Sequence, residues 1–176
     1  YFKEINFDFG FDLNIKNSFF DICYIMFKDT ITLREHFRCM PEIIGFSNLI
    51  SYSDRPLIPL RQYPADRLEP IKTKYLPHGV REGTGQYAFN EAEADAIVEE
   101  ITKCLENPQY EGKTFGIISL LGIGQAKHIQ NKLLQTIGAE VMEERHIICG
   151  DAYSFQGDER DVIFLSMVAA KGERRI

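Results

Sequence analysis

Three stretches of the sequence gather residue types that can do chemistry. In LREHFRCMPEIIGFSN, which starts at Leu33, the side chains of Arg34, His36 and Arg38 set positive or switchable groups between a strand end and the start of a helix. At such a junction, on the carboxyl edge of a parallel sheet, ligands usually bind. An arginine there can fork onto a phosphate with two hydrogen bonds, which a lysine cannot. The plain alternative is a surface ion pair of Arg38 with Glu35 or Glu42, worth about 0–1 kcal/mol. Cys39 is a poor nucleophile unless its surroundings lower its pKa.

The second stretch is Gly122-Ile123-Gly124, which follows a strand and opens a helix, so that backbone N–H groups can face a phosphate. The third glycine of a dinucleotide fingerprint is missing, with Lys127 in its place, which leaves a simple strand-to-helix turn as the rival reading. The third stretch, GDAYSFQGDERD from Gly150, is a polar loop between two apolar strands. There Ser154 and Gln156 can hydrogen-bond a sugar-phosphate backbone, Gly157 permits a tight turn, and Glu159 can accept from a ribose hydroxyl. Its acids also suggest Mg²⁺ or Ca²⁺, but the spacing of a calcium loop is absent, and a solvated acidic turn is the bland alternative.

These loops need a frame. Residues 1–16 alternate Phe7, Phe9, Phe11, Leu13 and Ile15 with polar residues, as a half-buried strand would. A helix is expected from Asn17 or Ser18, a short strand over Thr30 to Leu33, and a helix after Pro41. The proline-rich stretch from Ser51 to Tyr87 reads as surface connection with one or two short strands. Asn90 followed by Glu93 resembles a capping box, so a helix is expected from Glu91 to Glu106, with Ala94, Ile97, Val98, Ile101 and Leu105 as its apolar stripe. The rest reads strand (Thr114 to Leu121), helix (Ile123 to Ile137), strand (His146 to Cys149) and strand (Asp161 to Ala169). Apolar strands alternating with amphipathic helices indicate an α/β fold with a parallel sheet covered on both faces.

Composition sets the outer bounds. The 176 residues carry 20 Lys+Arg and 26 Asp+Glu, a net charge of −6, with 44% hydrophobic residues. This is ordinary for a globular chain and unlike a basic protein that coats nucleic acid. No apolar run approaches the roughly 20 residues of a membrane span, and the first residues do not read as a signal peptide. Cys23, Cys39, Cys104 and Cys149 stand apart from one another, so free thiols and a cytoplasmic setting are expected. The chain opens on Tyr1 rather than Met, as a fragment would.

Taken in order, LREHFRCMPEIIGFSN, GIISLLGIGQAKHI and GDAYSFQGDERDVIFLSMV resemble successive motifs of the second RecA-like domain of superfamily 1 helicases, in the branch of the nonsense-mediated-decay and Okazaki-fragment-processing enzymes. The resemblance covers roughly residues 18 to 169 and implies a RecA-like, P-loop NTPase-like three-layer sandwich with a mainly parallel sheet. It implies residues 1–16 as an arm or linker from a first motor domain, and 17–176 as the second domain. Carried over, Arg38 reaches the γ-phosphate as an arginine finger, which in other NTPases is worth about 10³–10⁵ in rate. Ser119 and Gln125 touch the nucleic acid; Ser154 and Gln156 hold the strand; Gly157 and Glu159 lie near the nucleotide.

The implied cofactors are ATP and Mg²⁺, and the implied partners are single-stranded DNA or RNA and the first RecA-like domain of the same protein, with no membrane. Leu120-Leu121 departs from the family's Pro-Tyr, and Tyr153 from its Asp. The chain holds no GxxxxGK[ST] loop and no second arginine motif after Ala169, so alone it is expected not to hydrolyse ATP. The alternative is a catalytically inactive nucleic-acid or protein-binding module on the same fold.

Overall fold

The computed structural model describes residues 17–27 and 29–174. The strand expected within residues 1–16, and the boundary expected after it, lie outside them. The chain divides into two compact units, residues 1–72 and 73–176, with the division inside the proline-rich connection.

The first unit opens with α1 (Phe19–Phe27). Ser18 caps it: its Oγ accepts the Asp21 N–H at 3.2 Å, and the Asp21 carboxylate takes the Ser18 N–H at 2.8 Å and O–H at 2.7 Å. The short strand expected over Thr30 to Leu33 lies later, at β1 (Glu35–His36), beside β2 (Ile58–Pro59) in parallel. The partner decides the place. Ile58 and Leu60 donate to the carbonyls of Arg34 and His36 at 2.7 and 2.9 Å, while Pro56, the next residue in that series, has no N–H, so the ladder cannot lengthen toward it. Next comes α2 (Pro41–Ile50), with proline in its first turn, where the missing N–H costs nothing, and Ile44 buried.

The second unit holds β3 (Val80–Glu82), α3 (Glu91–Glu106), β4 (Phe115–Ser119), α4 (Ile123–Thr136), α5 (Gly138–Glu144), β5 (Ile148–Asp151), β6 (Val162–Ser166) and β7 (Gly172–Arg174). Its main sheet runs β5-β4-β6, parallel throughout, and β7 pairs with β3, also in parallel. The α/β class with a mainly parallel sheet is therefore as expected. Two elements were not foreseen: α5, set off from α4 by Gly138 at φ +80°, and β7. The strand expected to reach Ala169 stops at Ser166, because Val168 turns the chain at φ +61°.

α3 and α4 pack on each other, α4 against β4 and β5 and α3 against β6. Their stripes, Ala94, Ile97, Val98 and Ile101 from α3 and Ala126, Ile129 and Leu133 from α4, close over Phe115 and Ile117. Cys104 rather than Leu105 completes the α3 stripe. In register, Ile163 and Leu165 share the other face with Gly116 and Ile118, and there Phe155 lies so close to Gly116 that a Cβ would sit 2.7 Å from its ring.

Candidate functional site

Arg38 lies on the turn between β1 and α2, exposed, in a loop tied down by polar contacts. Nε2 of His36 accepts the Cys39 N–H at 3.1 Å and lies 3.0 Å from the Cys39 Sγ, closing the turn around Arg38 from within; burial pushes the Cys39 thiol up. From outside, Nη1 of Arg61 and the Tyr63 hydroxyl both donate to the Arg38 carbonyl, at 3.2 and 3.4 Å. Asn48 holds the same strap by both ends of its amide: Nδ2 donates to the Leu57 carbonyl at 2.9 Å and Oδ1 accepts the Leu57 N–H at 2.8 Å. Glu42, one of two acids considered as an ion-pair partner of Arg38, is forked by Arg67 at 2.5 and 3.2 Å, which holds its carboxyl below the ordinary range.

In the second unit the ends of three strands meet. Ser119 of β4 is in register with Asp151 of β5 and Ser166 of β6, at the carboxyl edge of the sheet. Ser119 and Ser166 are 2% and 0% exposed, and neither hydroxyl has a hydrogen-bond partner among the described residues. Such orphans are few in folded proteins. The polar loop leaves this edge directly. Asp151 accepts the Ser154 N–H at 2.9 Å and O–H at 2.8 Å, bonds that hold its carboxyl below the ordinary range. Phe155 is buried and anchors the loop, while Ser154 and Gln156 on either side of it are exposed. Gly157 sits at φ +83° with open space around it, so its backbone conformation, not room for a ligand, selects glycine. Arg160 closes the loop on Asp158 at 2.5 Å, and Asp161 accepts from both the N–H and the hydroxyl of Thr114 at 2.9 Å. Asp151, Asp158 and Asp161 anchor the loop by these contacts, and Glu159 lies on its exposed surface. Among the described residues no group of three His, Cys, Asp or Glu side chains is placed to hold a metal ion.

Gln125 sits apart from these exposed groups. It has no exposed surface: its Oε1 accepts the Asn90 N–H at 2.8 Å and its Nε2 donates to the Asn90 carbonyl at 3.2 Å. That contact reshapes the cap of α3. Asn90 accepts from the Glu93 N–H at 3.2 Å, but in a capping box Glu93 would reach back to the N–H that Gln125 has taken. Glu93 turns instead to the end of β6, where it accepts the N–H groups of Met167 and Val168 at 2.7 and 2.8 Å and fixes the turn at Val168. Glu93 was read from the sequence only as the partner of Asn90 in a capping box, and Ser166 was not singled out; a carboxylate at N3 of a helix and a serine in an apolar strand carry no local sign of partners so distant in the chain.

Gly122 and Gly124 are spent within the protein. A Cβ on Gly122 would lie 2.7 Å from Gln86 Cα and one on Gly124 2.6 Å from the Tyr87 backbone, so the glycines admit the 3-10 turn Gly85–Tyr87 against the start of α4. The close approach that a dinucleotide phosphate would need is filled by the chain itself.

A family model described as an AAA domain matches residues 15–176. No curated protein matches the sequence.

Proposed function

Because the chain belongs to this AAA domain family, a domain found in superfamily 1 helicases, and its α/β architecture is consistent with a RecA-like, P-loop NTPase-like fold, we propose that it is the second motor domain of such a helicase. In the parent protein ATP sits between this domain and a first RecA-like domain, which supplies the phosphate-cradling lysine and the Mg²⁺ ligands. Closing and opening of that cleft steps the protein along one nucleic-acid strand. Arg38 meets the charge that develops on the γ-phosphoryl group, a contact made chiefly in the transition state. Ser154 and Gln156 line the strand's backbone, Ser119 acts from its buried place at the sheet edge as a positioning residue, and Gly157 and Glu159 shape the nucleotide side of the same loop. Gln125 acts through Asn90, as a positioning residue beneath the strand-binding edge.

The observation that carries this reading is the register of Ser119, Asp151 and Ser166, which sets the starts of two motif loops side by side at the carboxyl edge of a parallel sheet. The test is ATP hydrolysis by the full-length parent and by the 176-residue chain, with and without single-stranded nucleic acid. The parent is expected to turn over ATP faster with the strand present, and the chain alone to stay at the no-protein control. Turnover by the chain alone overturns the assignment.

A further inference from the structure

We infer that the end of β6 is a phosphate seat which Glu93 occupies in the free protein. The backbone N–H groups of Met167 and Val168 are its donors, and a phosphodiester of a nucleic-acid strand is the ligand that takes the carboxylate's place. The inference rests on the reading of the sheet edge as strand-binding and adds to it a site made of backbone, not of motif side chains.

Shape is the first argument. Oε1 of Glu93 accepts the Met167 N–H at 2.7 Å and Oε2 the Val168 N–H at 2.8 Å, one oxygen to each donor. Successive N–H groups turned to one side make an anion-binding concavity. The turn that presents them is strained, because Val168 is β-branched, wholly buried and at φ +61°, a conformation such residues rarely adopt. The apolar run of the sequence would carry the strand on to Ala169; the chain leaves that path and points two donors at one place instead. Strain of this kind clusters where a chain clamps a ligand.

Place is the second. The seat lies directly past Ser166, which pairs with Ser119 at the carboxyl edge of the parallel sheet. The Ser166 hydroxyl is wholly buried with no partner among the described residues, and its carbonyl accepts the Leu120 N–H at 2.9 Å, fixing the seat to the end of β4. Met167 is 59% exposed and Glu93 half-buried, so a ligand reaches the seat from solvent and the displaced carboxylate passes into water. Gln125 keeps Glu93 at the seat until then, because its amide holds the Asn90 N–H that a capping box would offer.

Charge selects the ligand. Two neutral N–H donors hold Glu93, and among the described residues no Lys or Arg side chain bonds its carboxylate. A phosphodiester matches a carboxylate in what such a seat reads, one negative charge and two free oxygens. The terminal phosphate of a nucleotide carries more charge and is usually met by arginine, lysine or a metal ion. Backbone N–H groups are common phosphate contacts in nucleic-acid recognition.

The sign of one effect separates this seat from a brace. If Glu93 only holds β6 in place, removing its charge loosens the edge and weakens strand binding; if it competes with the strand, removing its charge tightens binding. The experiment follows the amide signals of the isotope-labelled 176-residue chain by NMR as a single-stranded oligonucleotide is added, and measures the Kd of the same oligonucleotide for each variant by fluorescence anisotropy at one salt concentration. The Met167 and Val168 amides are expected to shift in the wild type. Glu93→Gln is expected to tighten binding about fivefold, while Glu91→Gln, the same change of charge on the same helical turn, moves it less than about twofold. A methylphosphonate oligonucleotide, which lacks the charged oxygen, is expected to show no gain from Glu93→Gln. Circular dichroism reads whether each variant keeps its fold, and the wild-type amide shifts carry the test if Glu93→Gln does not. Shifts at Ser154 and Gln156 without shifts at Met167 and Val168 leave the strand-binding edge standing and overturn the seat; no shift anywhere overturns both. A folded Glu93→Gln that binds no more tightly than wild type makes Glu93 a brace and sinks the inference. Equal tightening in Glu91→Gln does the same, as do shifts at Met167 and Val168 with ATP but not with the oligonucleotide.

Discussion

The two units hold their candidate functional residues by different physics. In the second, Ile101, Phe115, Ile117, Ile129 and Leu133 lose essentially all contact with solvent, and the edge carrying Ser119 sits on that core. In the first, Ile44 is the buried apolar side chain among the described residues, while Phe19, Phe27 and Leu33 are 82%, 68% and 87% exposed. Arg38 is set there by hydrogen bonds to backbone, from Arg61, Tyr63 and the Asn48 clamp, instead of by packing. Burial of a large apolar side chain is worth about 1.5–3 kcal/mol, and a single net hydrogen bond about 0.5–1.5 kcal/mol. A site held the second way is cheaper to move, which is what the proposed contact of Arg38 across a closing cleft would require.

The largest expected effect tests whether the first unit carries chemistry rather than stability. In the full-length parent, Arg38→Ala should lower kcat by about 10³ or more, some 4 kcal/mol of barrier, with ATP affinity little changed. Thermal unfolding should hardly shift, because the side chain is exposed. Arg38→Lys should rescue poorly, since an ammonium cannot fork onto two oxygens. Steady-state kinetics reads both variants, and a kcat within about threefold of wild type removes Arg38 from catalysis.

The converse substitution lies in the other unit. Leu133→Ala empties a fully buried site between α4 and the sheet and should cost about 3 kcal/mol. Hydrogen exchange localises the loss. Protection in β4 should fall by that amount while α2 exchanges as in wild type; equal losses in both would show one cooperative core and erase the contrast.

A sharper comparison sets one amide against another. Gln125 and Asn48 each hold both the N–H and the C=O of one backbone residue, but Gln125 is wholly buried and Asn48 is half-buried. Gln125→Ala leaves the Asn90 N–H without a partner where water does not reach, and should cost about 2–3 kcal/mol. Asn48→Ala lets water replace the amide at Leu57 and should cost about 1 kcal/mol or less. Urea denaturation of the two variants gives the difference, and equal costs would mean that burial does not distinguish the clamps.

What the sequence could reveal follows the same division between local and distant partners. The bounds of α3 were legible because its signals are local: the Asn90 cap, an apolar stripe at helical spacing and Asn107-Pro108 at the end. The place of β1 was not, because it depends on where β2 lies, and Pro56 limits that ladder from more than twenty residues away. The turn bearing Arg38 was legible as a strand-to-helix junction before α2. That Gln125 would be spent on Asn90, 35 residues earlier, was not, since an amide has no periodicity to betray its partner. The same holds for Glu93, whose expected local bond was displaced by that amide and replaced by two bonds at the end of β6.

The smallest effect asks whether surface charge adds to the contrast or leaves it to the core. Glu91, in the first turn of α3, accepts from Lys132 at 2.6 Å and pairs with His128. The Lys132 hydrogen bond leads in holding its carboxyl below the ordinary range, against a smaller opposing effect of burial. A carboxyl whose folded pKa is depressed adds stability that is present above its unfolded value, about pH 4.3, and is lost as pH falls through the folded value. The Glu91 side chain is 47% exposed, so solvent screens the pair. Glu91→Gln should therefore cost less than about 1 kcal/mol at neutral pH, and the gap should close as pH falls below about 4. The counterpart in the first unit is Glu42, 43% exposed beside Arg67, and Glu42→Gln should follow the same pH profile. Urea midpoints across pH for both variants decide the matter. Matching, small, acid-labile gaps leave the difference between the units to apolar burial, whereas a gap at Glu91 that persists in acid means that its contact is packing rather than charge.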